Sequence, residues 1–129
     1  LVIDPYNYIE SKMEKGQSET NYISDVLTQV LNFAKEYSVH VFFVAHPTKI
    51  QKDETTGNFK LPSLYSISGS ANWYNKTDNG IIVWRNFQTD EIEVHVQKVR
   101  FAWNGKVGLA RFKYNKETGE FKADYLNPC

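Results

Sequence analysis

Lys98 and Arg100 stand two residues apart in the stretch Lys98-Val-Arg-Phe-Ala-Trp-Asn-Gly-Lys-Val-Gly108. Residues at i and i+2 of a strand share a face. A glycine-bracketed turn after them holds the strand end in place. The arrangement presents a fixed positive pair to an anion, including one carried by a neighbouring molecule. The competing reading is a surface hairpin with two solvated cations, whose ion pairs contribute little. A second candidate is Asp4, which closes the apolar run Leu1-Val-Ile-Asp4. A carboxylate at the carboxyl end of a buried strand lies where α/β sheets bind ligands, and it could hold a Mg²⁺-bound water beside a nucleotide. An Asp-Pro turn accounts for the same residues without any ligand. His46, after the run Val39-His-Val-Phe-Phe-Val-Ala45, could hydrogen-bond a terminal phosphate and register its loss; a histidine at a strand end also serves structure alone. Finally, Lys49, Lys52 and Lys60 lie on the polar stretch from Pro47 to Pro62. Such a loop suits phosphate-backbone contacts, or it is a disordered surface segment.

These residues need elements to place them. Ile23, Val26, Leu27, Val30, Leu31 and Ala34 follow the i, i+3, i+4, i+7 spacing of one helical stripe. Ser18 or Thr20 could cap that helix, with Glu19 near the positive end of its dipole. The apolar runs on either side of it read as buried strands. Strand, helix and strand make one crossover, so the two strands are expected to be parallel. Asp4 and His46 then emerge at the same sheet edge. Ser66 to Asp78 reads as a turn and a short helix, with Ser68 or Ser70 as cap, and Ile81-Ile-Val-Trp84 as a third buried strand. From there the pattern changes. Glu91 to Gln97 alternates strictly, which predicts one buried and one wet face. A turn at Gln88 to Glu91 precedes it, Val107 to Tyr114 alternates again, and Asn115-Lys-Glu-Thr-Gly119 turns into Glu120 to Tyr125. An antiparallel meander therefore follows a parallel core, and Asn127 to Cys129 reads as a frayed end.

Composition bounds the function. The chain has 129 residues, 41% of them hydrophobic and 15% aromatic, enough for a packed core. Lysine plus arginine and aspartate plus glutamate number 15 each, so the formal net charge is zero and any anion site must be local. A single cysteine, Cys129, rules out an internal disulfide framework and suits a reducing compartment. No apolar run reaches the length of a membrane span, and no signal peptide is visible. The opening on Leu1, directly in a strand-like run, suggests that an upstream part is absent. No internal repeat or linker stands out, so one domain is expected.

Taken in order, the motifs resemble those of the C-terminal half of the RecA-like motor domain in hexameric replicative DNA helicases. The likeness is strongest to the Twinkle-type and phage primase–helicase branch, beside the bacterial DnaB group. It runs from Leu1 to about Phe121. The series is Leu1-Val-Ile-Asp4; Val44-Ala-His-Pro47; Gly69-Ser-Ala71 with Asp78; Lys98-Val-Arg-Phe101 with Gly105 and Gly108; and Tyr114-Asn-Lys-Glu-Thr-Gly119.

The resemblance implies an α/β RecA-like (P-loop NTPase) fold, with residues 1–129 forming the C-terminal part of one ATPase domain. It implies that Asp4 is the Walker B acid, holding Mg²⁺ through water, and that His46 occupies a phosphate-sensing position. Arg100 becomes an arginine finger reaching the γ-phosphate bound by an adjacent subunit, with Lys98 as the cation beside it. Lys49, Lys52 and Lys60 become candidates on a central-channel DNA-binding loop, although that loop also carries Asp53 and Glu54. The implied partners are ATP with Mg²⁺, single-stranded DNA and further copies of the chain in a ring, a hexamer in the family pattern, with no membrane. A bacterial or phage-infected cytoplasm is the expected location, with mitochondria as the alternative. The Gly-rich loop G-x-x-x-x-G-K-S/T is not found in the sequence. In the family it precedes Walker B, as does the glutamate that activates water, so this stretch alone is expected not to hydrolyse ATP. Two rivals remain at the level of sequence: a RecA-like recombinase or regulatory ATPase, and a degenerate module that binds single-stranded DNA or a partner without hydrolysis.

Overall fold

The computed structural model describes residues 1–8, 13–48, 50–55, 57, 59–68 and 70–123. Lys49, Gly69, Tyr125 and the terminal stretch from Asn127 to Cys129 lie outside the described residues. The chain divides into two compact units. One comprises residues 1–60 and 64–76, and the other residues 61–63 and 77–129.

In the first unit, β1 (Val2–Ile3) pairs in parallel with β2 (Phe42–Phe43), with Val2 opposite Phe42. The helix α1 (Glu19–Glu36) connects them, as the apolar stripe predicts. Ser18 is its cap: the side-chain oxygen accepts the Asn21 N–H at 3.2 Å. Of the stripe, Ile23 and Leu27 are buried and Val26, Val30, Leu31 and Ala34 half-buried. Ile23 and Leu27 meet Trp73 of the short helix α2 (Ser70–Lys76), and Tyr6, Tyr22, Phe43, Ala45 and Ile67 pack around them. Tyr6 and Phe43 each place their rings 5.3 Å from Trp73, whose Nε1–H donates to the Ser68 carbonyl at 2.8 Å. Burial, then repulsion from Tyr22 and Glu19, pushes the Tyr6 hydroxyl pKa up. Lys76 ends α2 by donating from Nζ to the Ser24 carbonyl (2.7 Å), the Ser24 hydroxyl (2.8 Å) and the Thr28 hydroxyl (2.5 Å) on α1.

The expectation that β1 and β2 are buried on both faces is not met. Ile3, Phe43 and Ala45 face the helices, whereas Val2, Phe42 and Val44 are exposed. The alternation along a strand sends these two sets to opposite faces, and α1 and α2 cover only one.

The second unit is the expected antiparallel meander. Its strands are β3 (Asn79–Asn86), β4 (Glu91–Val99), β5 (Gly108–Tyr114) and β6 (Phe121–Ala123), in that spatial order. Asn115 builds the last turn. Its side-chain oxygen accepts the N–H groups of Glu117 (2.8 Å) and Thr118 (3.2 Å), and Gly119 takes φ +74°. Two sequence expectations change here. Ile81 to Trp84 is not a buried strand, since Ile81 is 51% and Val83 70% exposed. In β4 the most buried residue is an acid, Glu93, at 9% exposure. It can be buried because partners surround it: Asn86 Nδ2 donates at 3.1 Å, His95 Nε2 lies at 2.7 Å, and Arg111 Nε at 3.9 Å. Burial pushes the Glu93 carboxyl up, but the hydrogen bonds from Asn86 and His95 and the attraction of His95 and Arg111 outweigh it, so its pKa lies below the usual glutamate value.

Candidate functional site

Asp4 and His46 belong to the first unit, at the carboxyl ends of β1 and β2. The parallel ladder continues past both strands: Val44 N–H donates to the Ile3 carbonyl at 2.9 Å, and Tyr6 N–H to the Val44 carbonyl at 2.7 Å. Asn7 then closes the edge, its side-chain oxygen accepting the backbone N–H of His46 at 2.8 Å. The segment that follows Asp4 is thereby bonded to the residue proposed to sense phosphate. Both Asp4 and His46 are solvent-exposed, so their side chains are open to a ligand. Asn7 was not picked out by sequence reasoning. Its only signal was a position three residues after an acid at a strand end, and that became specific once β1 and β2 were paired.

Lys98 and Arg100 belong to the second unit. The strand register gives the reason for their placement. Gly80 lies opposite Lys98 and Ile81 opposite Val96, so Gln97 is an extra residue in β4. Such a bulge re-aims the residues that follow it. Gln97 is itself pinned by its side-chain N–H to the Pro62 carbonyl at 3.0 Å. Beyond the bulge, Arg100 is held twice by one residue. Its N–H donates to the Asp78 carbonyl at 2.8 Å, and its Nη1 donates to the Asp78 carboxylate at 2.9 Å. Both side chains remain about half exposed, at 51% and 46%. The guanidinium also lies 5.7 Å from the centre of the Phe101 ring, which stacks on Trp103 at 5.0 Å. Lys98 is half-buried. Burial, and then the charge of Arg100, lowers its pKa from the ordinary lysine value, while Asp78 opposes the shift. The two cations are therefore close enough to repel, and the Asp78 carboxylate against Arg100 offsets part of that charge. Asp78 was visible in sequence only as a motif position; 22 residues separate it from Arg100, and only the β3–β4 pairing joins them.

The Pro47–Pro62 stretch is not a structureless loop. Lys52 and Phe59 form an antiparallel bridge, and Lys60 N–H donates to the Gln51 carbonyl at 3.0 Å. Asp53 shapes the tip, its carboxylate accepting Thr55 N–H at 3.0 Å and its carbonyl Gly57 N–H at 2.8 Å. At the base, Thr48 N–H and Oγ1–H both donate to the Ser66 carbonyl, at 3.0 and 3.2 Å. Lys52 and Lys60 are thus carried on one hairpin.

The second unit holds a pocket that sequence reasoning missed, lined by Arg85, Asp90, Ile92, Tyr114, Lys116 and Phe121. The Tyr114 and Phe121 rings are 5.0 Å apart. Arg85 donates to Asp90 at 2.9 Å, and the hydrogen bond from Arg85 and the charge of Lys116 lower the Asp90 pKa. An aromatic wall thus stands beside a guanidinium. Its residues are scattered over four strands and turns, so no local pattern revealed it.

No cluster of three or more His, Cys, Asp or Glu side chains suited to a metal ion occurs among the described residues. Asp4 offers one exposed carboxylate at the end of β1, the donor type that suits a hydrated Mg²⁺. No helix among the described residues is long and apolar enough to cross a membrane.

With its parallel strand pair, its helices and its four-stranded antiparallel sheet, the fold is RecA-like. It matches the solved structure of an ATPase domain with a TM-score of 0.70, at 23% identity, over 93% of this chain and 42% of that one. At the level of sequence, the chain is 41% identical over 133 aligned positions to the Twinkle homolog protein, chloroplastic/mitochondrial, of Arabidopsis thaliana. That alignment takes in 99% of this chain and 18% of the relative's length. The likeness to the Twinkle branch read from the ordered motifs is borne out by this match. No family model matches the chain.

Proposed function

We propose that the protein is an ATP-dependent replicative DNA helicase motor, and that this chain supplies part of its nucleotide and DNA machinery. The observation that carries the reading is the 41% identity to a Twinkle homolog across 99% of the chain. The geometry supports it. Asp4 is the Walker B acid, which would hold Mg²⁺ through water; that ion supplies charge neutralisation at the phosphates when bound. His46, whose backbone N–H donates to Asn7, hydrogen-bonds a terminal phosphate in this reading. Arg100 acts as an arginine finger on nucleotide bound by the next copy in a ring, hexameric by family pattern. Its planar fork suits charge spread over the transferring phosphoryl oxygens. Lys98 adds positive potential beside it. Within the second unit, the pocket of Arg85, Tyr114 and Phe121 offers a stacking surface for a nucleotide base. Lys49, Lys52 and Lys60 contact the phosphates of single-stranded DNA. The relative's name, chloroplastic/mitochondrial, favours an organelle over the cytoplasm expected from sequence.

The test is ATP hydrolysis by the full-length protein with and without single-stranded DNA, followed by strand displacement on a forked duplex. Hydrolysis that rises with DNA, together with displacement, supports the motor. DNA-stimulated hydrolysis without displacement favours a recombinase or regulatory ATPase. Absence of hydrolysis reduces the protein to a binding or assembly module.

A further inference from the structure

Phe59 is a large apolar side chain at the far end of a polar hairpin, and it is 45% exposed. Exposing such a ring gains nothing for the fold, and lysines alone suffice for phosphate contact. The hairpin nonetheless holds the ring in a defined place. Phe59 is bridged to Lys52, and the Lys52 ammonium lies over the ring, 5.1 Å from its centre. The ladder continues through the Lys60 to Gln51 bond. Side chains alternate along paired strands, so Lys52 and Phe59 share one face of the ribbon and Gln51 and Lys60 take the other. The two lysines therefore do not line one track. One face carries a cation and an aromatic ring; the other carries a cation and an amide.

A cation over an aromatic ring that is 45% exposed offers a mixed site for phosphate and base. Every unpaired base has a π-face, so stacking on an aromatic ring tolerates any sequence, and a neighbouring ammonium meets the phosphate. We infer that Phe59 stacks on an unpaired base of the single strand while Lys52 contacts an adjacent phosphate, so that this hairpin reads bases by stacking as well as backbone charge. The inference rests on the reading of the chain as part of a single-strand-binding motor, and it adds to that reading a contact that is blind to base identity but requires a base.

The experiment compares two oligonucleotides of equal length and charge, one of thymidines and one with abasic sites throughout, in equilibrium binding to the full-length protein. The wild-type protein is expected to bind the thymidine strand about tenfold more tightly than the abasic strand. Phe59→Leu keeps an apolar side chain but removes the π-face, and it should bring the two affinities together; Phe59→Trp should preserve the difference. Lys52→Ala should weaken both strands and reduce the slope of log affinity against log salt by about one contact. A fold defect at the hairpin would weaken both strands alike and would not be rescued by tryptophan. Equal affinity of the wild type for both strands, or a preference that survives Phe59→Leu, overturns the stacking role and leaves the motor reading standing. Failure of the wild type to bind either strand overturns both.

Discussion

Arg100 is gripped by the carbonyl and the carboxylate of Asp78, and the two contacts do different work. The carbonyl fixes the backbone at the end of β4, and the carboxylate fixes the direction of the guanidinium. Arg100→Ala should lower DNA-stimulated ATP turnover by about a thousandfold, the range for loss of a finger. Arg100→Lys should recover little, because a point charge lacks the planar fork. Asp78→Asn keeps the carbonyl and the size of the side chain but weakens its hold. It should reduce kcat by about tenfold with KM for ATP nearly unchanged, since positioning rather than binding is lost. Steady-state kinetics of the three variants distinguishes these outcomes. At the pocket, Tyr114→Ala should raise KM for ATP by about tenfold, and Tyr114→Phe should leave it near wild type, since the ring and not the hydroxyl does the stacking. An unchanged KM in the alanine variant would remove the pocket from the nucleotide site.

At the scale of elements, the four-stranded sheet is held partly by a buried polar network centred on Glu93. The folded-state pKa of Glu93 lies below its ordinary value of 4.5. A depressed carboxylate contributes its stability above the unfolded pKa and loses it as pH falls through the folded one. Urea midpoints should therefore hold from pH 7 to about 5 and decline below about 4.5. Glu93→Gln should lower the midpoint at pH 7 and flatten the acid limb, and an unchanged acid limb in that variant would remove Glu93 from the cause. This network also shows what the sequence could convey. The strict alternation of Glu91 to Gln97 announced a strand, and the helical stripe from Ile23 to Ala34 announced α1 with its cap at Ser18. Both are local signals. That an acid, Glu93, is the most buried residue of β4 is a cross-strand property, decided by Asn86 and Arg111 on neighbouring strands, and the alternating pattern did not show it. Likewise Asp4, His46, Lys98 and Arg100 could be proposed from sequence because each lies at or just past a strand end, whereas Asn7, Asp78, Phe59 and the Tyr114 pocket depend on pairings 7 to 39 residues apart along the chain.

For the chain as a whole, the formal charge of zero confines any anion site to local clusters. The proposal that Arg100 acts on a neighbour makes a specific forecast for mixtures. Full-length Asp4→Ala and Arg100→Ala should each be nearly inactive alone. Mixed in equal amounts and allowed to exchange subunits, they should regain activity, because about one interface in four then combines an intact acid with an intact finger. Turnover that stays at the level of the parents, with exchange verified by mass, would place Arg100 in its own copy's site and remove the requirement for a ring.

Lys76 bears on a different circumstance, cold. Ile23, Leu27 and Trp73 join α1 to α2 by excluding water, and that attraction weakens as temperature falls. The Lys76 ammonium donates to Ser24 and Thr28 across the same joint, and these charge-assisted bonds also weaken in the cold, because water solvates a free ammonium more favourably as temperature falls. Near freezing, packing and ammonium therefore slacken together, and the joint between α1 and α2 should be among the first parts of this unit to loosen.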